Sequence, residues 1–312
     1  MIHLSTEQTR FHLPFHRLIE ALRDMFKEGC IVPPRHVHTI GDNKGTVLIM
    51  PAWRPNKRMG VKTITIYHDN VKLGLPGLHA TYNLFDANTG VPLCDVDGIE
   101  LTARRTAAAS ALGASFLARA DASKYLIVGA GRVASLMAEA MAAVRPIASV
   151  QVWNLFPQEA ENLVKQLREK GFDATHAKDL QTAVEKADII TCATLSKAPL
   201  VKGEWLRPGA HLDLIGSFTP DMCETDVNCF KVASVYTDTD EALIKSGDVL
   251  NAIKAGTFVA AKDHKGTLEK MCRGQGSRKS NQEITLFKSV GTALEDLAAA
   301  ELVYDGAQRS KM

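Results

Sequence analysis

The apolar residues of the first hundred positions recur with two different periods. Leu18, Leu22 and Met25 repeat at helical spacing and Gly29 follows them, which predicts an amphipathic helix that ends near this glycine. After it, apolar and polar residues alternate in short runs separated by turn residues, as is typical of strands. The predicted strands are residues 35–40, 46–50, 60–67, 81–85 and 91–96, with a turn at 41–45. We therefore expect a mostly antiparallel sheet with a helix before it.

Residues 99–120 form a long alanine-rich pattern, which predicts a helix against which other elements can pack closely. Arg104 and Arg105 lie near its start, where a cation is unfavourable by roughly 0.3–1 kcal/mol. Each arginine is therefore expected either to pair with an anion or to lie solvated on the surface.

From residue 124 onwards, short apolar runs alternate with amphipathic segments. The predicted strands are residues 126–128, 149–153, 172–175, 188–193, 210–215, 232–236 and 284–287, and the predicted helices are 133–143, 157–170, 180–187, 239–245, 249–254 and 291–304. This alternation predicts an α/β fold with a Rossmann-type, doubly wound parallel sheet. We expect two domains: an α+β domain of residues 1–120 completed by 291–312, and a dinucleotide-binding domain of residues 121–290.

A glycine-rich turn, Gly129-Ala130-Gly131-Arg132-Val133-Ala134, separates the first of these strands from its helix. Gly129 allows a tight turn, Gly131 leaves the backbone open to a pyrophosphate, and the small Ala134 lets the helix pack on the strand. The helix N-terminus adds free N–H groups and a positive dipole end. A plain structural turn is the alternative, but the strand and helix on either side favour a dinucleotide site formed by Gly129, Gly131, Arg132 and Val133.

The residue expected near the adenosine ribose lies at the end of the second parallel strand. An acid usually occupies this place and binds the ribose 2′-hydroxyl. Here the position is Asn154, and no carboxylate follows before Glu159. Because asparagine would not repel a 2′-phosphate, NADPH is favoured over NADH, although Leu155 and Phe156 offer no arginine to that phosphate.

The composition argues against several classes of partner. The 312 residues include 37 basic and 35 acidic side chains, a net charge of +2, which gives no reason to expect nucleic acid or an anionic membrane. No run approaches the roughly 18 apolar residues of a membrane span, and the N-terminus does not resemble a signal peptide. The six cysteines form no Cys-x-x-Cys pair, as expected for reduced thiols in a cytoplasmic protein without a metal site.

Several segments of the sequence match those of a known family. They are Pro34-Arg35, Gly60-Val61-Lys62, Asp69-Asn70, Asp86-Ala87-Asn88-Thr89-Gly90, Leu101-Thr102-Ala103-Arg104-Arg105-Thr106-Ala107-Ala108, Ala187-Asp188-Ile189-Ile190 with Thr194, Gly209-Ala210-His211, Ser246-Gly247-Asp248, Thr285-Leu286-Phe287-Lys288-Ser289-Val290-Gly291 and Ala293-Leu294-Glu295-Asp296-Leu297-Ala298. The Arg-Thr-Ala-Ala and Phe-Lys-Ser-Val-Gly segments are specific in this combination. Across nearly its full length, the chain resembles the ornithine cyclodeaminase/μ-crystallin family.

The resemblance implies a dehydrogenase-like protein whose N-terminal domain binds the substrate and forms a homodimer, with the last helix returning to that domain. In the family, residues matching Arg35, Lys62 and Arg105 hold the substrate carboxylate by charge-assisted hydrogen bonds. Arg105 is selected over Arg104 because it immediately precedes Thr-Ala-Ala. The remaining expected cofactor residues are Thr106 and Asn154, with Thr194, Ser289, Val290 and Gly291 lining the nicotinamide half.

One loop departs from the cyclodeaminase pattern. The pattern of the ornithine cyclodeaminases implies an aspartate in the loop after the fifth strand of the cofactor domain. This aspartate accepts a proton from the distal amine of the substrate. Aligning Gly216 and Pro220 places Phe218 at this position, and phenylalanine cannot hold a proton. Asp221 is close in sequence, but it is expected to face outward because it lies beyond Pro220. The loop is similar to that of the branch that includes μ-crystallin and the 1-pyrroline-2-carboxylate reductases.

Two histidines have no assigned role. His68 is a second departure, since many relatives have proline before Asp69-Asn70, and His79 matches no functional position. We expect both to be structural or solvated.

The resemblance therefore implies an NAD(P)H-dependent reductase of α-imino acids. The expected substrates are cyclic ketimines such as 1-pyrroline-2-carboxylate or 1-piperideine-2-carboxylate, reduced to L-proline or L-pipecolate, and Lys62 is expected to keep the imine nitrogen protonated. The alternatives are an ornithine cyclodeaminase with bound NAD, an alanine dehydrogenase or open-chain imino acid reductase, and a non-catalytic NADP-binding protein. The expected partner is thus a small imino or amino acid.

Overall fold

The computed structural model describes residues 1–42 and 44–310, without the side chains of His68 and Val71. The chain forms two compact units, Met1–Arg105 with Thr292–Met312, and Thr106–Gly291. The boundary between them falls inside the helix Gly98–Leu117, whereas the sequence pattern predicts it at residue 120.

The first unit contains a six-stranded sheet. Its strands are β1 (Ile2–Leu4), β2 (His36–Ile40), β3 (Gly45–Trp53), β4 (Arg58–Ile66), β5 (Leu78–Asp86) and β6 (Pro92–Asp97). The spatial order is β1-β6-β5-β4-β3-β2, and only β1 and β6 pair in parallel. The five predicted strands are confirmed; β1 is too short to show a period. The predicted turn at 41–45 includes Asn43, which lies outside the described residues.

Three helices belong to the N-terminal part of the chain, namely α1 (Thr6–Phe11), α2 (Phe15–Glu28) and α3 (Gly98–Leu117). In α2 the predicted apolar positions Leu18, Leu22 and Met25 are buried. Gly29 ends this helix with φ +85°, a value that favours glycine, and donates its N–H to the Met25 carbonyl at 2.8 Å.

Helix α3 packs closely because its side chains are small. Ala107, Ala108, Ala111 and Ala114 are fully buried. A Cβ on Gly113 would lie 2.8 Å from Cδ1 of Phe287, so this turn of the helix has room for hydrogen only.

The second unit contains an eight-stranded parallel sheet. Its strands are β7 (Lys124–Val128), β8 (Ser149–Trp153), β9 (Ala174–His176), β10 (Ile189–Cys192), β11 (His211–Leu214), β12 (Ser234–Thr237), β13 (His264–Thr267) and β14 (Thr285–Lys288). The order β13-β12-β14-β11-β10-β7-β8-β9 reverses between β7 and β10. The predicted Rossmann-type sheet is confirmed, and ligands of such sheets bind at the carboxyl ends of the strands where the order reverses.

The helices of this unit are α4 (Ala134–Ala142), α5 (Pro157–Glu169), α6 (Leu180–Lys186), α7 (Asn228–Val232), α8 (Ala242–Lys245), α9 (Gly247–Lys254), α10 (Ala260–Asp263) and α11 (Leu268–Cys272). The sequence pattern predicts a break at Gly247 and Asp248. In the structure both residues already belong to α9, because Ser246 alone separates it from α8.

The last helix, α12 (Ala293–Arg309), belongs to the first unit and is longer than the predicted 291–304. Thr292 caps it, accepting the Leu294 N–H. Most of its residues are buried, and a Cβ on Gly306 would lie 2.6 Å from Nδ1 of His12.

Candidate active site

Four of the predicted cofactor positions follow the carboxyl ends of parallel strands. Gly129 follows β7, Asn154 follows β8, Thr194 comes after β10, and Ser289 follows β14. Because parallel strands end at the same edge of a sheet, these positions share the edge at which dinucleotides bind in this fold. Thr106, another predicted cofactor residue, lies on α3 and is half-buried.

The glycine turn has the shape that the motif predicts. Gly129 has φ +117°, and a Cβ there would lie 2.5 Å from the Ala193 carbonyl oxygen, so only glycine fits. A Cβ on Gly131 would meet no heavy atom within 4 Å, which leaves the backbone open on that side. Val133 precedes α4, and Arg132 is exposed beside it. The open turn and the free N–H groups of the helix start fit a pyrophosphate.

The end of β8 does contain a carboxylate. Nδ2 of Asn154 donates to Oε2 of Glu159 at 2.7 Å, because the first turn of α5 brings Glu159 back towards the strand end. A carboxylate therefore lies beside Asn154 in the fold, although the sequence has none between Asn154 and Glu159.

Thr194 is held by a buried acid that the sequence analysis did not select. Both its N–H and its hydroxyl donate to Oε1 of Glu224, at 2.8 and 2.9 Å. Glu224 is fully buried, and its Oε2 has no hydrogen-bond partner among the described residues. Burial raises the pKa of Glu224 to about 7, with Asp248 adding to the effect and Lys288 opposing it.

Two further buried carboxylates hold neighbouring loops. Oδ1 of Asp248 accepts the N–H groups of Glu224 and Thr225 at 2.8 and 3.0 Å. Oδ2 of Asp238 accepts those of Val290 and Gly291, both at 2.7 Å. We refer to Glu224, Asp238 and Asp248 as the loop carboxylates. None of the three was selected from the sequence. For Asp238 a signal was present, because this acid directly follows the buried strand β12.

The loop that separates the branches carries no buried acid at its predicted position. Phe218 is 44% exposed. Asp221 lies on the surface, as predicted, and contacts Nζ of Lys197 at 2.7 Å and the Thr219 hydroxyl at 2.6 Å. Hydrogen bonds from Lys197 and Thr219 lower the pKa of Asp221 to about 2, so it is a poor proton acceptor near neutral pH.

The predicted carboxylate-binding cations form a buried group in the first unit. Nζ of Lys62, on β4, lies 2.6 Å from Oδ2 of Asp296. Nε of Arg105, on α3, donates to Oδ1 of the same aspartate at 2.9 Å, and its Nη1 donates to Oε2 of Glu295 at 2.5 Å. We call Lys62, Arg105, Glu295 and Asp296 the charge cluster. Its two acids come from the first turn of α12, where the helix dipole favours carboxylates.

Burial and pairing act against each other in the charge cluster. Lys62 is 1% exposed, and burial lowers its pKa to about 8, although Asp296 acts in the opposite direction and Arg105 adds to the decrease. Burial would raise the pKa of Asp296, but the attraction of Lys62 and Arg105 outweighs it and this pKa is lowered. The cluster therefore contains an ammonium that can lose a proton only slightly above neutral pH.

Arg104 has a different role from Arg105. Its Nε donates to the Leu13 carbonyl at 2.9 Å, and its guanidinium lies 4.4 Å from the ring centroid of Phe15. Arg104 thus fixes the start of α2. Both arginines are buried, so the alternative of solvated surface arginines is wrong for each of them.

Arg35 immediately precedes β2 and is half-buried. His36 pairs with Ile49, so continuing this register by one residue would place Arg35 opposite Met50, which itself pairs with Lys62. Residues directly opposite one another share a face of the sheet, at about 5 Å from strand to strand. Arg35 thus precedes a strand that lies two strands from the strand of Lys62 in the same sheet, a strand-to-strand distance of about 10 Å.

The sequence matches the ornithine cyclodeaminase/mu-crystallin family over residues 4–311. The chain belongs to this family. It is 36% identical to the Delta(1)-pyrroline-2-carboxylate reductase of Paracoccus denitrificans, over 93% of this chain and 92% of that protein. It is 32% identical to the ketimine reductase mu-crystallin of Rattus norvegicus, over 97% of this chain and 96% of that protein. The Thermococcus litoralis Delta(1)-pyrroline-2-carboxylate reductase, solved in complex with NADH and L-proline, superposes with a TM-score of 0.93 at 32% identity, covering 100% and 99% of the two chains.

Membership of the family leaves two side chains without a role. His79 is exposed on β5, and the side chain of His68 lies outside the described part of the structure.

Within the described residues, no three or more His, Cys, Asp and Glu side chains are arranged to hold a metal ion. In the same part of the chain, no helix combines the length and apolar character needed to cross a bilayer.

Proposed function

We propose that this member of the family is an NAD(P)H-dependent reductase of α-imino acids, acting on cyclic ketimines such as 1-pyrroline-2-carboxylate or 1-piperideine-2-carboxylate to give L-proline or L-pipecolate. The observation that carries the proposal is the charge cluster, in which two cations retain unused donors. Lys62 has three N–H donors and one described partner, and Arg105 has five and uses two. Relatives named as reductases of these ketimines support it.

Each residue of the cluster has a distinct proposed task. Nη2 of Arg105 has no hydrogen-bond partner among the described residues and is suited to the substrate carboxylate, together with Arg35. Lys62 holds a proton for the imine nitrogen, because a protonated imine is the better electrophile. The nicotinamide, when bound, supplies the hydride to the C=N carbon. Fixing the carboxylate orients that carbon, which is where positioning increases the rate.

The preference between NADPH and NADH depends on two neighbouring side chains. Asn154 would tolerate the 2′-phosphate of NADPH, and we propose that NADPH is accepted for this reason. The carboxylate of Glu159, hydrogen bonded to Asn154, would repel the phosphate and favour NADH. Glu159 is therefore the residue that limits the preference for NADPH.

Two residues, Phe218 at the expected acid position and its neighbour Asp221, argue against ornithine cyclodeamination. That reaction would need an acid to take a proton from the distal amine, and Phe218 cannot do so. Asp221 is committed to Lys197 and Thr219 on the surface. Open-chain imino acids, as used by an alanine dehydrogenase, need no such acid and remain the alternative that the substrate test must separate.

We also propose that the protein is a cytoplasmic homodimer. Every residue of the edge strand β2 is exposed, including Val37 at 57% and Ile40 at 42%, and an uncovered edge of this kind is suited to a second copy of the chain. All six cysteines are free, as is usual in a reducing compartment. Light scattering on the purified protein tests the dimer, and a monomer at micromolar concentration would reject it.

A panel of substrates tests the proposed reaction. The purified protein is given NADH or NADPH with each cyclic ketimine, and in parallel with pyruvate plus ammonia or methylamine. We expect oxidation of the cofactor with a cyclic ketimine and formation of the corresponding L-amino acid. Oxidation with the open-chain imines alone would replace the proposed substrate class. Release of proline and ammonia from L-ornithine would establish the cyclodeaminase instead.

A further inference from the structure

One carboxylate joins both cations of the charge cluster. Its two oxygens are divided between them, with Oδ1 on Nε of Arg105 and Oδ2 on Nζ of Lys62. Lys62 comes from a strand and Arg105 from a helix, and Asp296 from a third element, α12, so no local geometry brings the two cations together. All three side chains are buried.

We propose that Asp296 is the positioning residue of this site: it sets the relative orientation of Lys62 and Arg105 and provides the counter-charge that keeps the Lys62 ammonium protonated for the imine nitrogen. The proposal rests on the proposed reductase function, and it adds a residue that does not itself touch the substrate.

The groups that surround Lys62 show why Asp296 has this role. From α12, Asp296 is in contact with Lys62 and Glu295 acts at longer range. From α3, Arg105 repels the ammonium. From β5, Tyr82 lies opposite Lys62 in the register and brings only a buried hydroxyl. Asp296 is thus the one anion in contact with Lys62 among the described residues, and its removal would leave the ammonium beside Arg105 without compensation.

Glu295 provides a matched control within the same turn of helix. It is buried and acidic like Asp296, but its described contact is with Nη1 of Arg105 and not with Lys62. If the role of Asp296 were only to supply negative charge to the helix start, the two acids would be equivalent. If Asp296 positions both cations, its loss changes the protonation of Lys62 much more than the loss of Glu295, which acts on Lys62 only at longer range.

The test compares Asp296→Asn with Glu295→Gln in the reduction of the best ketimine of the panel from pH 6 to 10. In the wild type, kcat/KM should fall as pH rises through the pKa of Lys62, because the proton is then lost. In Asp296→Asn the decrease should occur at least one pH unit lower, and kcat at pH 8 should be at least 100-fold smaller. Glu295→Gln should raise KM for the ketimine severalfold and leave the pH of the decrease within 0.3 unit. A wild-type pH profile in Asp296→Asn would overturn the proposal.

A second variant keeps the proposal open to rejection if Asp296→Asn does not fold. Asp296→Glu retains the charge and moves the carboxylate by one methylene group. We expect its pH profile to stay within 0.3 unit of the wild type while kcat falls at least 10-fold. An unchanged kcat in this variant would show that the position of the carboxylate is immaterial, which contradicts the proposal.

The failure of the reductase function can be told apart from the failure of this inference. NMR of carbon-13-labelled lysine, with Lys62→Met used to assign the resonance, reports the protonation of Lys62 without turnover. Absence of turnover in the wild type with every imine would reject the proposed function alone. An unchanged Lys62 titration in Asp296→Asn would reject the role of Asp296. The role would also be rejected if Asp296→Glu had both the Lys62 titration and the kcat of the wild type.

Discussion

The buried carboxylates of the charge cluster and the three loop carboxylates have different partners. In the charge cluster of the first unit, carboxylates face the cations Lys62 and Arg105. In the second unit, the loop carboxylates accept backbone N–H groups and hydroxyls from segments close to them. The same side-chain type is therefore used once with ionic partners and once with the main chain.

This difference separates two kinds of function. A carboxylate that accepts backbone N–H groups fixes the shape of a loop, because these donors belong to the main chain and cannot leave. In the charge cluster the cations keep donors that are not used, so an anionic ligand can be added without breaking the existing pairs. The first unit is accordingly suited to recognise a substrate carboxylate, and the second to hold a nucleotide-binding edge in one conformation.

The largest effect is expected from the removal of a cation. Lys62→Ala should lower kcat with ketimine by about 10²–10⁴-fold, the range of general acid catalysis. It should also destabilise the fold by about 3–5 kcal/mol, because a buried pair is broken and Asp296 loses one partner. Steady-state kinetics and urea unfolding measure the two effects separately. Lys57→Ala is the control, since Lys57 is exposed and its described ion pair is with Glu28 on the surface. Full kcat in Lys62→Ala would make Lys62 a spectator.

A smaller effect, visible in the pH dependence of stability, is expected from a loop carboxylate. Glu224 has its pKa raised from 4.5 to about 7 in the folded protein, so the folded state binds more protons than the unfolded state between these values. Its contribution to stability therefore decreases as pH rises from about 4.5 to 7. Glu224→Gln keeps an acceptor for Thr194 and removes the titration, so its stability relative to wild type should increase by up to about 3 kcal/mol between pH 5 and 8.

Urea unfolding at several pH values between 5 and 8 checks this expectation. Glu185→Gln, on the exposed surface of α6, is the matched control and should differ from wild type by less than about 0.5 kcal/mol throughout. A difference between Glu224→Gln and wild type that does not change with pH would mean that Glu224 is ionised in the folded protein across the whole range.

The smallest effect is expected at the end of β8. Glu159→Gln removes the charge that opposes a 2′-phosphate but keeps a side chain that can accept from Asn154. Its kcat/KM with NADPH should increase about 3- to 10-fold, as expected for the loss of an exposed repulsion of about 1 kcal/mol, with little change for NADH. Glu161→Gln, exposed on the same helix, serves as control. Equal changes for both cofactors would remove Glu159 from the discrimination of the phosphate.

The parts of the fold that depend on local pattern were predictable. Most of the parallel strands are short apolar runs, and Gly129 and Gly131 lie in the turn that their spacing predicts. Strand β13, with the sequence His-Lys-Gly-Thr, has no apolar run and was not predicted. Local pattern fails for β1, which has only three residues, and for the first turn of α9, where Gly247 and Asp248 begin the helix and do not lie between two helices.

The contacts of the site depend on residues far apart in the chain, and these were less predictable. The resemblance to the family selected Lys62 and Arg105. Asp296 lies in the matching segment 293–298, but nothing in the sequence pairs it with these cations, because it lies about 190 residues beyond Arg105. The contact between Glu159 and Asn154 was missed because the first turn of α5, not adjacency in the sequence, brings this carboxylate to Asn154. Glu224 lies in the loop that was selected because of Phe218, and no sequence pattern indicated that its own side chain is buried.

The most direct test of the proposed reaction is the reduction of 1-pyrroline-2-carboxylate by the purified protein, followed by cofactor oxidation and chiral analysis of the product. We expect oxidation of NADH or NADPH in proportion to the L-proline formed, with a rate that falls above about pH 8 as Lys62 loses its proton. Two results would contradict the proposed reaction. One is a cofactor that binds tightly but is not oxidised with any of the imino acids, and the other is formation of proline from L-ornithine.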